Sequence, residues 1–209
     1  MNIEKKLLKT GTTTAGMVCK DAVILAAERK ATMGYLVASK NAEKILRLNS
    51  RIAMTTAGLV GDAQAIERIM KAELKLYEFQ EERKPSIKAA AHLLANILYS
   101  RRYYPYYVQL LVGGFDDKPR LYSFDPSGSI QEESEFFSTG SGSPIALGVL
   151  EEKYRKGISV EEGKRIAIKA VKAAVQRDIA SGGSGIDIAV IDKDGIKRLT
   201  DEEVKELAS

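Results

Sequence analysis

The sequence predicts an α+β fold in which two antiparallel sheets pack face to face and a pair of helices covers each outer side. Two observations carry this. The hydrophobic period switches in blocks along the 209 residues, giving strands, two helices, strands, two helices and strands again, and no βαβ alternation interrupts that order. A double sandwich is then the arrangement that covers every apolar face.

The first block reads as strands "TTTAGMV", "AVILAAE", "KILRL" and "IAMTTAG", punctuated by the turns "CKD" and "NSR". At Gly61-Asp62 the period lengthens. Asp62 can cap a helix whose apolar positions Ile66, Ile69, Met70, Leu74 and Tyr77 recur every three or four residues. Ser86 caps a second helix with Ile87, Ala90, Leu94, Ile97 and Leu98 on one face, its alanines allowing close packing. Strands return as "YVQLLVGG", "PRLYSF" and a segment near "EFFSTG". A third helix starts near Ser143-Pro144, proline suiting the first turn, and a fourth starts at Ser159 with Glu162 forming a capping box and runs to about Asp178. The hairpin "IDIAVID" and "GIKRL" and a short helix capped by Thr200 with Glu203 complete the chain.

Composition removes several chemistries. Cys19 is the only cysteine and His92 the only histidine, which excludes disulfides, multi-cysteine zinc sites and histidine-cluster metal sites. No metal and no cofactor is expected. Thirty-two basic against 28 acidic residues, a formal charge of +4, describes mixed surface charge rather than a field for polyanions. No run of about 18 apolar residues offers a membrane span, and "MNIEKKLLKTG" is too short and charged for a secretory signal. The chain reads as cytoplasmic, with neither nucleic acid nor membrane as partner.

Serine or cysteine catalysis would have to use His92, which sits mid-helix between "AAA" and "LL", the setting of a packed core histidine. "STGSGSP" and "SGGSG" resemble phosphate-cradling loops, but neither has the spacing of a P-loop or lies in a βαβ unit. "SRRYYPYYVQ" mixes arginine and tyrosine as in base stacking; an aromatic loop entering a buried strand, or a subunit contact, is the plainer reading. Thr12, Thr13 and Thr14 read plainly as a β-branched strand opening. They also allow something sharper. Cleavage after Gly11 would give Thr12 a hydroxyl nucleophile and a free α-amine, whose pKa of about 7.7–8.0 suits a general base. Gly11 has no side chain to obstruct the Thr12 hydroxyl from reaching its carbonyl, so self-cleavage by an acyl shift is open, and no histidine is needed.

"TGTTTAG", "KDAVILAAERKAT", "MTTAGLVGDAQ", "YYPYYVQLLVGG", "STGSGSPIALGVLEEKY" and "RDIASGGSGIDIAVI" resemble, in order and spacing from Gly11 to about Leu199, the catalytic β subunits of archaeal proteasome core particles. The resemblance implies the four-layer αββα sandwich of N-terminal nucleophile hydrolases and threonine endopeptidase activity on unfolded proteins. It implies a propeptide, residues 1–11, removed to leave a catalytic domain, 12–209. It also implies a heptameric ring of β subunits, α-subunit rings above it, and a regulatory ATPase acting through them.

By the same resemblance Thr12 is the nucleophile, Glu28 and Lys44 lie beside it, and the Gly58 amide stabilises the oxyanion. Ser141, Asp178 and Ser181 surround the threonine amine, and Thr32 with Gly58 pairs with substrate backbone. The pocket for the residue before the cut is lined by Ala31, Ala42, Leu46 and Thr56, with no carboxylate recognisable at its base. Leucine, phenylalanine or tyrosine should be preferred there over arginine by at least about tenfold. Two departures from the family pattern are Ala15 where valine is usual and one extra residue in "SGGSGID". The rival readings are the simpler bacterial threonine protease, whose chains lack this length and the "GDAQ" and "GSGSP" segments, and a non-catalytic β-type subunit that keeps its propeptide and serves assembly.

Overall fold

The computed structural model describes residues 11–208; residues 1–10 of the expected propeptide lie outside them. Among the described residues, twelve strands and five helices follow in order. Strands β1 (Thr14–Val18), β2 (Val23–Glu28), β3 (Ala31–Met33), β4 (Leu36–Ser39), β5 (Ile45–Arg47) and β6 (Ile52–Gly58) precede helices α1 (Val60–Glu81) and α2 (Ile87–Ser100). Strands β7 (Val108–Phe115), β8 (Pro119–Phe124), β9 (Ile130–Glu133) and β10 (Phe136–Thr139) lead to α3 (Ser143–Lys153) and α4 (Val160–Arg177). Then come β11 (Ile186–Asp192), β12 (Gly195–Arg198) and α5 (Asp201–Ala208).

The strands form two five-stranded antiparallel sheets, ordered β10-β1-β2-β11-β12 and β5-β6-β7-β8-β9, plus the separate hairpin β3-β4. Period-two alternation sorts the first sheet's residues into two cores. Val23, Leu25, Ala27, Ala189 and Ile191 point inward against Ile45, Ala53, Leu111 and Leu121 of the other sheet. Ile24, Ala26, Ile188 and Val190 point outward onto Leu150, Ile166, Ala170 and Ala174 of α3 and α4. On the far side Met54, Leu110 and Val112 meet Ile66, Met70, Leu94 and Leu98 of α1 and α2. Both sheets are therefore covered on both faces, which is the α+β four-layer sandwich the block order predicts. Each large side chain fully buried this way contributes about 1.5–3 kcal/mol of transfer free energy.

Three of the expected helix caps are present. Ser86 Oγ accepts from Ala89 N–H at 3.1 Å, and Thr200 and Glu203 make the reciprocal box, 2.7 and 3.2 Å. At Ser159 the hydroxyl accepts from Glu162 N–H at 3.2 Å. The Asp62 expectation is corrected. Helix α1 begins after Leu59, with no side-chain cap; Asp62 lies in its first turn and accepts instead from Tyr107 N–H at 2.7 Å, tying α1 to the start of β7. His92 is also corrected. Ala91, Leu94, Ala95 and Leu98 take the buried face of α2, and His92, one residue past Ala91, is rotated about 100° off it and is exposed. The hairpin β3-β4 and strand β9 were not read from the sequence.

Candidate active site

Thr12, Thr13 and Thr14 are all buried, at 5%, 0% and 0% exposure, and each hydroxyl goes to a different place. The β1–β2 register pairs Thr14 with Ala27, which sets Thr13 opposite Glu28, whose N–H donates to Thr13 O at 3.3 Å. Alternation then sends Thr12 and Thr14 to one side and Thr13 to the other.

On the Thr12 side, Lys44 approaches from the segment just before β5. Its Nζ lies 2.6 Å from Thr12 Oγ1 and 2.6 Å from the Lys30 carbonyl oxygen, and forms an ion pair with Glu28 Oε1. Lys44 is 6% exposed and Glu28 not at all. The carboxylate is saturated: Oε1 also accepts from Thr13 N–H at 3.3 Å, and Oε2 accepts from Lys30 N–H at 2.7 Å and Gly182 N–H at 2.8 Å. Burial holds the Lys44 ammonium below the usual lysine range, with Glu28 pulling the other way.

The proton inventory is informative. The Lys30 carbonyl and the Glu28 carboxylate only accept, so two Nζ–H bonds are committed to them whether Lys44 is charged or neutral. The third tetrahedral position faces Thr12 Oγ1. There a neutral amine accepts the hydroxyl proton and an ammonium donates one.

On the Thr13 side a second chain of hydrogen bonds runs to the Thr12 nitrogen. Asp178, the residue capping α4, accepts from Ser141 Oγ–H and Ser181 Oγ–H, both 2.6 Å, through the same Oδ2. Each serine thereby spends its single proton. Thr13 Oγ1 must therefore donate to Ser181 Oγ at 2.7 Å, and Thr12 N–H donates to Ser141 Oγ at 3.1 Å. Ser141 thus touches the Thr12 nitrogen, whereas Ser181 acts one bond further back, through Asp178 and Thr13. Thr14 Oγ1 lies 2.7 Å from Thr139 Oγ1 and 3.1 Å from Thr55 Oγ1, stitching β1 to β10 and to the other sheet.

The two glycine loops serve this centre. Gly142 N–H donates to the Thr12 carbonyl at 3.2 Å, and Gly182 N–H goes to Glu28. Their amides are spent on protein acceptors. Gly58 has φ +128°, and a Cβ there would strike the Tyr107 carbonyl oxygen, so the chain can pass Thr12 here only as glycine. Cys19 is buried and its thiol is pushed up to about 12 by desolvation, which removes it as a nucleophile.

A cavity of about 420 Å³ opens beside Thr12, and Gly11 and Thr32 border it. Ala31, Ala42, Leu46 and Thr56 all line it, and Gly11 N–H donates to Thr32 Oγ1 at 3.4 Å. The sequence shows no carboxylate at the base of this pocket; in the structure Glu43 and Glu67 are among the residues that line it. Each already holds a cation, Glu43 the Arg198 guanidinium and Glu67 the Lys71 ammonium at 2.6 Å. Thr13, Glu67 and the backbone groups of Lys30 and Gly182 were missed as site elements. The threonine run alone pointed at Thr13.

Among the described residues no group of three or more His, Cys, Asp or Glu side chains is placed to hold a metal ion, and no helix is long and apolar enough to cross a membrane. The model of the family described as "Proteasome subunit" matches residues 8–191. Among curated proteins, the chain is 52% identical over 208 residues to "Proteasome subunit beta" of Archaeoglobus profundus, covering 99% of this chain and 96% of that one. It is 51% identical over 199 residues to the protein of the same name from Methanocaldococcus vulcanius, 94% and 89% covered. To "Proteasome subunit beta 2" of Aeropyrum pernix it is 49% identical over 193 residues, 92% and 87% covered. With its double-sheet sandwich and relatives at half identity over nearly their whole lengths, the chain belongs to the proteasome subunit family, among the β subunits.

Proposed function

We propose that this chain is a catalytic β subunit of a proteasome core particle, a cytoplasmic threonine endopeptidase that cuts unfolded proteins and matures by cleaving itself between Gly11 and Thr12. The observation that carries the reading is the 2.6 Å contact between Thr12 Oγ1 and a buried Lys44 Nζ whose other two bonds are fixed. Glycine immediately precedes that threonine.

In maturation, Thr12 Oγ1 attacks the Gly11 carbonyl carbon and its proton passes to Lys44 Nζ. The Gly11–Thr12 C–N bond then breaks, the nitrogen takes a proton and becomes the α-amine, and an ester remains on Oγ1. Water hydrolyses that ester, leaving a Gly11 carboxylate and a free Thr12. In the mature protein the same hydroxyl attacks a substrate carbonyl. The Thr12 amine, held by Ser141 and through it by Asp178, accepts the hydroxyl proton and returns it to the leaving amine, and water clears the acyl ester. The Gly58 amide faces the developing oxyanion. Ring formation with other β subunits, stacking against α rings and feeding by an ATPase belong to the same proposal.

Assembled particles should contain chains that begin at Thr12, and Thr12→Ala particles should assemble, keep all 11 leader residues and cut nothing. N-terminal sequencing with fluorogenic peptide assays reads both; active particles that begin at Met1 or Asn2 sink the proposal. For the residue before the cut, Glu43 and Glu67 are both already paired and the other charged residues that line the cavity, Lys30 and Lys44, are cationic, so an arginine would lose hydration with no free carboxylate to meet it. Leucine, phenylalanine or tyrosine there should exceed arginine by at least about tenfold in kcat/KM. Equal or faster cutting after arginine would refute this pocket assignment.

A further inference from the structure

The glycine-rich loop 178–185 runs from the end of α4 to the start of β11, and it is held by Arg29, which does not line the cavity beside Thr12. Arg29 Nε donates to Asp187 Oδ1 at 2.9 Å, just past the loop in β11. Its two terminal nitrogens reach Oδ1 and Oδ2 of Asp201, the first residue of α5, at 2.6 and 3.2 Å. The backbone of Arg29 works on the same loop and on the segment before Lys44: its N–H donates to Gly182 O at 3.0 Å, and its carbonyl accepts from Ala42 N–H at 2.8 Å. Lys30 Nζ adds a bond to Ile179 O at 2.8 Å. Gly183 has φ +96°, and a Cβ on it would come within 2.6 Å of the Arg29 carbonyl carbon, so the loop lies directly on the Arg29–Lys30 peptide.

We infer that Arg29 and Asp201 are positioning residues for the reaction, through which the C-terminal helix α5 keeps Gly182 N–H on Glu28 and Lys44 on Thr12. The inference rests on the threonine peptidase reading above. The guanidinium meets two carboxylates, one of them through both terminal nitrogens, and its side chain is only 18% exposed, which fixes it better than a lone surface pair would. Asp201 is a firm anchor because Val204, on the next turn of α5, is buried in the core beside α4. Without this anchor the loop can lift, and Glu28 Oε2 loses Gly182 N–H, one of its two backbone donors. More of the carboxylate's charge then falls on Lys44. Besides Glu28, the charged groups acting on Lys44 are Lys30 and Asp178, and both stay in place. A more negative Glu28 favours the ammonium, whereas Lys44 takes the Thr12 proton only as the neutral amine, so maturation should slow and require a higher pH.

The test follows maturation against pH in particles assembled from the full chain, together with kcat and KM for a fluorogenic peptide. In Arg29→Met maturation near neutral pH should slow about tenfold, and its midpoint should rise by about half a pH unit or more. For mature particles kcat should fall about threefold or more while KM stays within about twofold, because the cavity is untouched. Arg29→Lys, one cation for two carboxylates, should recover part of the midpoint. Asp201→Asn leaves the Thr200–Glu203 cap in place; it should move the midpoint the same way by less, and adding it to Arg29→Met should move it no further. A midpoint that falls, or stays within about 0.2 pH units of wild type in both single variants, overturns the inference, and so does a further rise in the double variant. If Arg29→Met particles do not assemble, Asp201→Asn decides by the same readout. Wild-type particles that never expose Thr12, or that cut peptides without it, defeat the peptidase reading instead.

Discussion

Lys44→Ala is expected to slow maturation by about 10²–10⁴-fold, the range ascribed to a positioned proton-transfer group, and to lower kcat/KM for peptide substrates by at least about tenfold, because the mature Thr12 hydroxyl loses the Nζ contact that favours its deprotonation. The maturation step is the more exposed of the two. In the precursor the Thr12 nitrogen is an amide, so the α-amine that serves the mature protein does not yet exist, and Lys44 is the one basic side chain within hydrogen-bonding distance of Oγ1 among the described residues. Alanine also strands the buried Glu28 carboxylate, an uncompensated charge worth about 3–5 kcal/mol of stability. Lys44→Met combined with Glu28→Gln separates the two effects, because it removes that charge while filling the space. The double variant should recover thermal stability and assembly but not activity. Lys44→Ala particles that keep more than about a tenth of wild-type turnover, a barrier change under roughly 1.4 kcal/mol, would exclude the role given to Lys44.

The pH dependence of maturation follows from the same group. Lys44 takes the Thr12 proton only as a neutral amine, so self-cleavage should rise with pH through the Lys44 titration. Burial places that titration below the usual lysine range and the Glu28 charge opposes the shift. Glu28→Gln removes the opposing charge, lowers the Lys44 pKa further, and so should move the midpoint of the maturation profile to lower pH. A midpoint that moves upward contradicts the assigned proton path.

Much of this was legible in the sequence where local chemistry decides the outcome. The strand and helix blocks follow from period and caps, and Ser86 and Thr200 cap where their neighbours predict. The threonine run and the missing histidine cluster pointed together to a hydroxyl activated without imidazole. What composition could not supply was the partner of Thr12. Lys44 sits 32 residues away, in a stretch that reads as surface. Only the β1–β2 register, which sets Glu28 beside Thr13, makes its burial affordable. Asp62 was misread because a capping aspartate and a first-turn aspartate look alike locally, and the choice was made by Tyr107 from a distant strand. The hairpin β3-β4 escaped for a related reason: Met33, Leu36 and Val37 are exposed, so no buried face imposes a strand period on them. Glu43 and Glu67 entered the cavity beside Thr12 through tertiary packing, which no spacing rule foretells.

Gly11→Ala should arrest maturation, leaving most chains unprocessed in assembled particles, and the cause is steric. A Cβ built on Gly11 collides with the Ala180 Cβ and comes within 2.8 Å of Ser141 Oγ. Ser141 cannot give way cheaply, since it is bound to Asp178 at 2.6 Å and to the Thr12 nitrogen at 3.1 Å. Ala180 is fixed as well, its N–H donating to Asp178 Oδ1 at 3.3 Å. The methyl group must therefore push the Gly11 carbonyl away from Thr12 Oγ1, and a displacement of about 1 Å from attack geometry costs on the order of 10²-fold in rate. Glycine is thus required before the nucleophile because the loop holding the Thr12 nitrogen packs directly on Gly11, beyond any need for an unobstructed carbonyl. The decisive test is compensation. Adding Ala180→Gly to Gly11→Ala removes the severest collision, at 1.8 Å, and leaves the 2.8 Å approach to Ser141 Oγ, so the double variant should regain part of the rate, at least about a tenfold gain over Gly11→Ala, measured by the appearance of chains beginning at Thr12. Ala180→Gly alone should mature normally. If Gly11→Ala matures at the wild-type rate, or if the double variant is as blocked as the single, the collision with Ala180 is not what makes glycine necessary.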